Sequence, residues 1–301
     1  MCFPIRHHFA ALSALWLSVG SLFSQAATLV APAKEALLIA NADYAHFGKL
    51  PNPIPDARQL ADVLRQIGFH VNIVENASRE GMLDALSEFE GRLKASKGIA
   101  FFHYGGHGVQ VGGRNYLIPT DVDIPDEKRV STRAVELDEV IAALDASGAC
   151  VNIIILDACR DNPLPATSSR SASRGLSVVQ SKPKNSIIIY AAEPGSKAED
   201  GLFTPTLAKA LSVPQRLLSE VMTAVRREVY DKSNGKQTTG EYNQLFEQVS
   251  LAGDAIAPIA APNLTSSIPV PPPPQNIQAD SGYVWIFPDS SQRIWGNFLF
   301  R

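Results

Sequence analysis

Between Ala36 and Asp200 the chain alternates short apolar runs with segments whose apolar residues recur at helical spacing. Ala36-Leu37-Leu38-Ile39-Ala40 is followed by Ala57, Leu60, Ala61, Leu64 and Ile67. Phe69-His70-Val71-Asn72-Ile73 alternates like a strand, and Met82, Leu86, Phe89 and Leu93 return to helical spacing. Ile99 to Tyr104 reads as a strand, Leu137, Val140, Ile141 and Leu144 as a helix, and Val151 to Leu156 and Ser186 to Ala191 as two more buried strands. A run apolar at every position suits a strand covered on both faces, and strand–helix alternation suits parallel pairing through helical crossovers. The order therefore predicts an α/β fold, a mostly parallel sheet with helices on both faces. In such sheets ligands bind beyond the carboxyl ends of the strands. A further helix is predicted from Gln215 to about Asp231, with Leu218, Val221, Val225 and Val229 on one face.

The two ends of the chain read differently. Arg6 precedes an uncharged stretch from Phe9 to Phe23, followed by Ser24-Gln25-Ala26-Ala27. A positive start, a short apolar core and a small-x-small site make residues 1–26 a secretory signal peptide, and the core is short for a membrane span. The mature protein is then expected to be exported, periplasmic or extracellular. The globular domain is expected over 34–255, a proline-rich linker over 256–280, with Pro271 to Pro274 consecutive, and a short aromatic-rich tail over 281–301. The net charge of −3 shows no basic stripe for nucleic acid, and 45% hydrophobic with 19% charged residues is ordinary for a globular protein.

Export makes the cysteines informative. Cys2 falls in the signal peptide, leaving Cys150 and Cys159. The run between them reads as an extended strand, roughly 30 Å over nine residues. A disulfide needs Cα atoms within about 7 Å, so Cys159 is expected to be a free thiol despite an oxidising compartment.

Two segments follow predicted strands directly: His103-Tyr104-Gly105-Gly106-His107-Gly108 and Asp157-Ala158-Cys159-Arg160-Asp161-Asn162. Both fall at the sheet edge where sites form. A cysteine nucleophile reacts as the thiolate and needs a nearby base, and histidine has a suitable pKa. Of the histidines beyond the signal peptide, His46 lies in a loop and His70 on an alternating strand. His103 can point to the same edge. The glycines favour His107, since Gly105, Gly106 and Gly108 permit tight turns and close substrate approach and leave backbone N–H groups for an oxyanion.

These segments resemble the catalytic pair of the caspase-like cysteine peptidases, the clan of caspases, metacaspases and orthocaspases. His107 and Cys159 are 52 positions apart, close to the roughly 50 of caspases. The likeness runs from about Ala36 to Asn243 and includes Leu38-Ile39-Ala40-Asn41-Ala42-Asp43-Tyr44 and Leu50-Pro51-Asn52-Pro53-Ile54-Pro55-Asp56-Ala57. Asp157 and Asp161 stand where caspases have Gln and Gly, which is closer to metacaspases and orthocaspases. The resemblance implies His107 and Cys159 as the catalytic dyad and the backbone N–H groups of Gly108 and Cys159 as oxyanion donors. It also implies Asp56 and Asp157 as an acidic pocket for a P1 Arg or Lys. Read from the residues alone, Asp56 also fits a helix N-cap before Ala57, Leu60 and Leu64, and Asp157 fits a structural strand-end residue.

The expected function is thus a cysteine endopeptidase acting on protein or peptide substrates, without cofactor, metal or nucleic acid. The alternative is an inactive caspase-like interaction module, since Thr204-Pro205 and Gln237-Thr238-Thr239 match the family loosely. Metal binding through His103, His107 and Cys159 has a poor ligand set, because the H-x-x-x-H lies on a glycine-rich strand end. Asp121, Asp123, Asp126 and Glu127 read as a solvated loop. The polar segment 164–184 carries Arg170 and Arg174 as candidate self-cleavage sites. The sequence leaves the oligomeric state open.

Overall fold

In the computed structural model, β1 (Lys34–Ala40) is the apolar run whose two faces are both buried. Ala36, Leu38 and Ala40 join one core layer, and Leu37 and Ile39 the other. The residues described are 32–159, 183–193 and 198–252, all within the first of two units of the chain, Met1–Pro258. The signal-peptide reading of 1–26, Arg170 and Arg174, the linker 256–280 and the tail 281–301 lie outside them.

After β1 come α1 (Pro53–Gln66), β2 (His70–Glu75), α2 (Arg79–Ser96), β3 (Ile99–Val111), β4 (Arg114–Leu117), α3 (Val130–Arg133), β5 (Val135–Glu136) and α4 (Leu137–Ser147). The remaining elements are β6 (Val151–Cys159), β7 (Ser186–Tyr190), α5 (Phe203–Leu211), α6 (Leu218–Lys232) and β8 (Gly240–Asn243). The strands run in the order β2-β1-β3-β6-β7-β8; β8 is antiparallel to β7 and the other pairs on this path are parallel. Residues of α1, α5 and α6 pack on one face, and residues of α2 and α4 on the other. The expected mostly parallel α/β sheet with helices on both faces is what forms.

Three departures from the sequence reading matter. α1 begins at Pro53, earlier than the apolar spacing suggests, because a proline in the first turn has no N–H to lose. α5, which the periodicity did not reveal, places Pro205 in its first turn for the same reason. The largest departure is β3. It does not stop at Tyr104 but continues through the glycines to Val111, and its far end pairs antiparallel with β4. Gly105, Gly106 and Gly108 are therefore strand residues rather than turn residues. The β4–β5 extension, with Tyr44, Val109, Tyr116, Ile118, Ile124 and Val130, forms a small third core over this end of the sheet.

Cys150 precedes β6 and is exposed with a free thiol. Cys159 ends that strand. The extended strand between them, about 3.3 Å per residue, keeps the two apart as the sequence suggests.

Candidate functional site

The two sequence-flagged segments meet through strand register. β3 and β6 are neighbours, and their parallel pairing sets Gly105 against Asp157, Gly106 against Ala158 and His107 against Cys159. Adjacent strands lie about 4.8 Å apart, so positions 107 and 159 are side by side at the carboxyl edge. His107 is followed at once by Gly108, which pairs with Leu117 of β4.

The His107 backbone is held on both sides by tyrosine hydroxyls. Its N–H donates to Tyr44 Oη at 2.7 Å. Its carbonyl accepts from Tyr104 Oη at 2.7 Å and from Ile118 N–H at 3.0 Å. Burial pushes the Tyr104 phenol well above its ordinary pKa, so it remains a neutral donor. This clamp explains Gly106. A Cβ there would lie 2.5 Å from Tyr44 Oη and 2.8 Å from Tyr104 Oη. Gly106→Ala is therefore expected to destabilise the fold by about 2–3 kcal/mol, as overpacking at an unyielding site does, measured by denaturant unfolding. An unchanged midpoint would mean that the tyrosines move aside freely.

The His107 ring is also fixed. Nε2 lies 2.7 Å from the Gly48 carbonyl in the loop after β1. A carbonyl only accepts, so Nε2 carries the proton and Nδ1 is the basic nitrogen. The ring packs against Tyr44 at 4.5 Å between centroids and Phe47 at 6.3 Å. Gly48 escapes sequence reasoning because every residue has a carbonyl; only the fold says which one reaches a histidine.

The other histidines have other roles. His70 is exposed, with Nδ1 2.9 Å from Glu35 Oε2, and His46 is exposed in a loop. His103 is buried below the site, with Nε2 3.0 Å from Thr204 Oγ1. His103 and His107 thus point to different partners, which does not suit the H-x-x-x-H metal reading. Among the described residues no three His, Cys, Asp or Glu gather as a metal site.

Beside Gly105 and Gly106 lies a narrow slot lined also by Leu50, Pro53, Asp56, His103, Asp157, Asp200 and Thr204. Its free space is ≈ 10 Å³, about enough for one water. Three carboxylates converge here, from α1, β6 and the turn before α5. Burial and the neighbouring charges of Asp157 and Asp200 push Asp56 up from 3.8 to about 7. Burial raises Asp157 to about 6, opposed by hydrogen bonds from Thr204 and reinforced by the charge of Asp200. Thr204 donates to Asp157 Oδ2 from its hydroxyl at 2.6 Å and its N–H at 3.2 Å.

Asp56 is not the N-cap of α1. That position is Asn52, without a side-chain cap bond, and Asp56 lies in the first turn. Asp157 does have the structural role considered for it, since it anchors the start of α5, but only Oδ2 is used in doing so. Asp200 was missed by sequence reasoning. The available signal was its place past the carboxyl end of β7, just before a helix. Gln237 holds this region, accepting from Glu199 N–H at 2.8 Å and donating to the Ala191 carbonyl at 2.8 Å.

A group whose pKa rises on folding favours the folded state at low pH, and that stability is lost as pH rises through the folded value. For Asp56 the window runs from about 4 to about 7. Asp56→Asn is thus expected to raise Tm at pH 8 by about 2–4 °C, on the order of 1 kcal/mol after discounting for partial exposure. Below pH 4 it should gain nothing. Thermal unfolding at the two pH values checks this, and an equal Tm at pH 8 would contradict it.

A larger cavity of ≈ 610 Å³ lies at the amino end of β1, beside Lys34, Ile67 and Pro214, and its lining holds no carboxylate, histidine or cysteine. His107, Asp56, Asp157 and Asp200 lie at the other edge.

A family model described as Caspase domain matches residues 33–250. The human protein "Mucosa-associated lymphoid tissue lymphoma translocation protein 1" is 31% identical over 128 residues, covering 42% of this chain. Its mouse homolog matches to the same extent. This chain covers 15% of the length of either relative.

Proposed function

Since the chain belongs to the caspase-domain family, we propose that it is a cysteine endopeptidase cutting after Arg or Lys, with Cys159 as nucleophile and His107 as base. The observation that carries this reading is the register pairing of positions 107 and 159 beside a slot with three carboxylates.

The chemistry follows from the arrangement of these groups. His107, with Nε2–H fixed on the Gly48 carbonyl, takes the thiol proton at Nδ1. The Cys159 thiolate attacks the scissile carbonyl, and the backbone N–H groups of Gly108 and Cys159 receive the oxyanion. His107 then passes the proton to the leaving amine, which departs and leaves an acyl-enzyme. Finally it activates water for deacylation. The Gly48 carbonyl acts as the orienting third group that the sequence did not reveal.

The slot accounts for specificity. Asp157 pairs with Gly105, two residues before the 107–159 pair, about 6–7 Å along the strand. That suits a long basic side chain whose own carbonyl lies at Cys159. Three carboxylates crowded into one slot, with Asp56 and Asp157 pushed up, are relieved by a cation, and a P1 carboxylate would add a fourth acid. Because the resting slot has room for about one water, its lining must shift to admit the side chain. We further propose that residues 1–26 are an export signal and that the enzyme is exported.

The test is a panel of fluorogenic peptides differing only at P1. Turnover is expected for Arg and Lys, with Asp at background. Cleavage after Asp alone would refute the pocket assignment, and no cleavage of any peptide would favour the inactive interaction module.

A further inference from the structure

His103 is an odd residue to bury beneath a slot for cations. It is 1% exposed, and nothing in the proposed mechanism uses it. Its Nε2 lies 3.0 Å from Thr204 Oγ1, and that hydroxyl lies 2.6 Å from Asp157 Oδ2.

The directions of these bonds are fixed by counting protons. A threonine hydroxyl has one proton, and an ionised carboxylate only accepts. The hydroxyl proton therefore goes to Asp157, and Thr204 Oγ1 accepts from His103 Nε2–H. Nδ1 is then the unprotonated nitrogen, and it has no hydrogen-bond partner among the described residues. Thr204 N–H, in the first turn of α5, donates to the same carboxylate oxygen at 3.2 Å. Both bonds fall on Oδ2 and leave Oδ1 for a ligand.

We propose that His103 and Thr204 are positioning residues for substrate specificity, a neutral imidazole–hydroxyl relay that orients the Asp157 carboxylate toward the P1 cation. This rests on the reading that Asp157 binds a basic P1 side chain. The relay moves no proton; its effect is to stiffen one carboxylate within a cluster of three. The ionisable groups facing Asp157 among the described residues are Asp56 from α1, Asp200 from the turn before α5 and His103 from β3. Burial and the charge of Asp200 oppose its ionisation. The Thr204 bonds favour it, because a hydrogen bond donated to a carboxylate stabilises the charged form. Burial lowers His103 to about 3, so the donor stays neutral across the working range and does not compete with the substrate as a second cation.

The experiment compares Thr204→Val, which keeps the shape and loses the hydroxyl, with Thr204→Ser, which keeps the hydroxyl. For a P1-Arg peptide, Thr204→Val is expected to raise KM about tenfold with kcat much less affected. It should also move the acid limb of the kcat/KM profile to higher pH. Thr204→Ser is expected to recover the greater part of both. A packing role alone would not move the pH limb, so a Thr204→Val profile superimposed on wild type overturns the relay. If Thr204→Val does not fold, His103→Leu against His103→Gln makes the same comparison, because the Gln amide can donate near the Nε2 position. Asp157→Asn serves as the control. If it loses P1-Arg cleavage while Thr204→Val and His103→Leu do not, the relay alone fails. If Asp157→Asn leaves P1-Arg cleavage intact, the basic-pocket reading fails with it.

Discussion

Cys159→Ala is expected to reduce turnover of a P1-Arg peptide by at least about 10³-fold, with the fold intact. The size of the loss follows from the covalent step, since without the thiolate no acyl-enzyme can form and only positioning and oxyanion stabilisation remain. His107→Ala should cost about as much, and the double variant little more. Residues acting as one unit are strongly non-additive. Initial-rate measurements on the two single variants and the double variant check this. Multiplicative losses would mean that the two residues do not act together. Equal turnover by Cys159→Ala would remove it as the nucleophile and, with it, the peptidase reading.

The second large effect is expected at Asp157. Asp157→Asn keeps an oxygen to accept from Thr204 N–H, so the start of α5 is preserved. It removes the charge that would pair with the P1 guanidinium. Breaking one side of a desolvated, hydrogen-bonded ion pair costs about 2–5 kcal/mol, or roughly 10²–10³ in kcat/KM for P1 Arg. An uncharged P1 such as Gln should lose far less, so the measured quantity is the Arg-to-Gln ratio. The same ratio should fall in wild type as the pH is lowered. With Asp56 at about 7 and Asp157 at about 6, acidification below neutrality protonates first one and then the other. Each step removes attraction for a cation. A ratio that is flat between pH 8 and 5.5 would contradict the assignment.

Much of this was legible from the chain. Ala36 to Ala40 is apolar at every position, and Val151 to Leu156 at every position but Asn152, because both faces of a central parallel strand are covered. That pattern, with chemistry-bearing residues at the carboxyl ends of two such runs, was enough to bring His107 and Cys159 together. What was hidden depended on contacts between distant parts of the chain. Three glycines in six residues normally end a strand. Here β4 pairs with the far end, and two tyrosine hydroxyls occupy the space left by the missing Cβ of Gly106. α5 was hidden because it is short and carries a proline in its first turn. With it went Thr204, and Asp200 just ahead of it. Asp56 looked like a cap because the apolar spacing begins at Ala57, although the helix starts at Pro53.

β3 belongs to two ladders at once, to β6 on one side of His107 and to β4 beyond it. β6, in contrast, ends on Cys159. Position 107 is tied to its neighbours on both sides. Freeing the His107 amide requires breaking the clamp and the ladders around it, so its hydrogen exchange should be as slow as that of the sheet centre. The proposed base is thus a post that the fold sets in place before any substrate arrives.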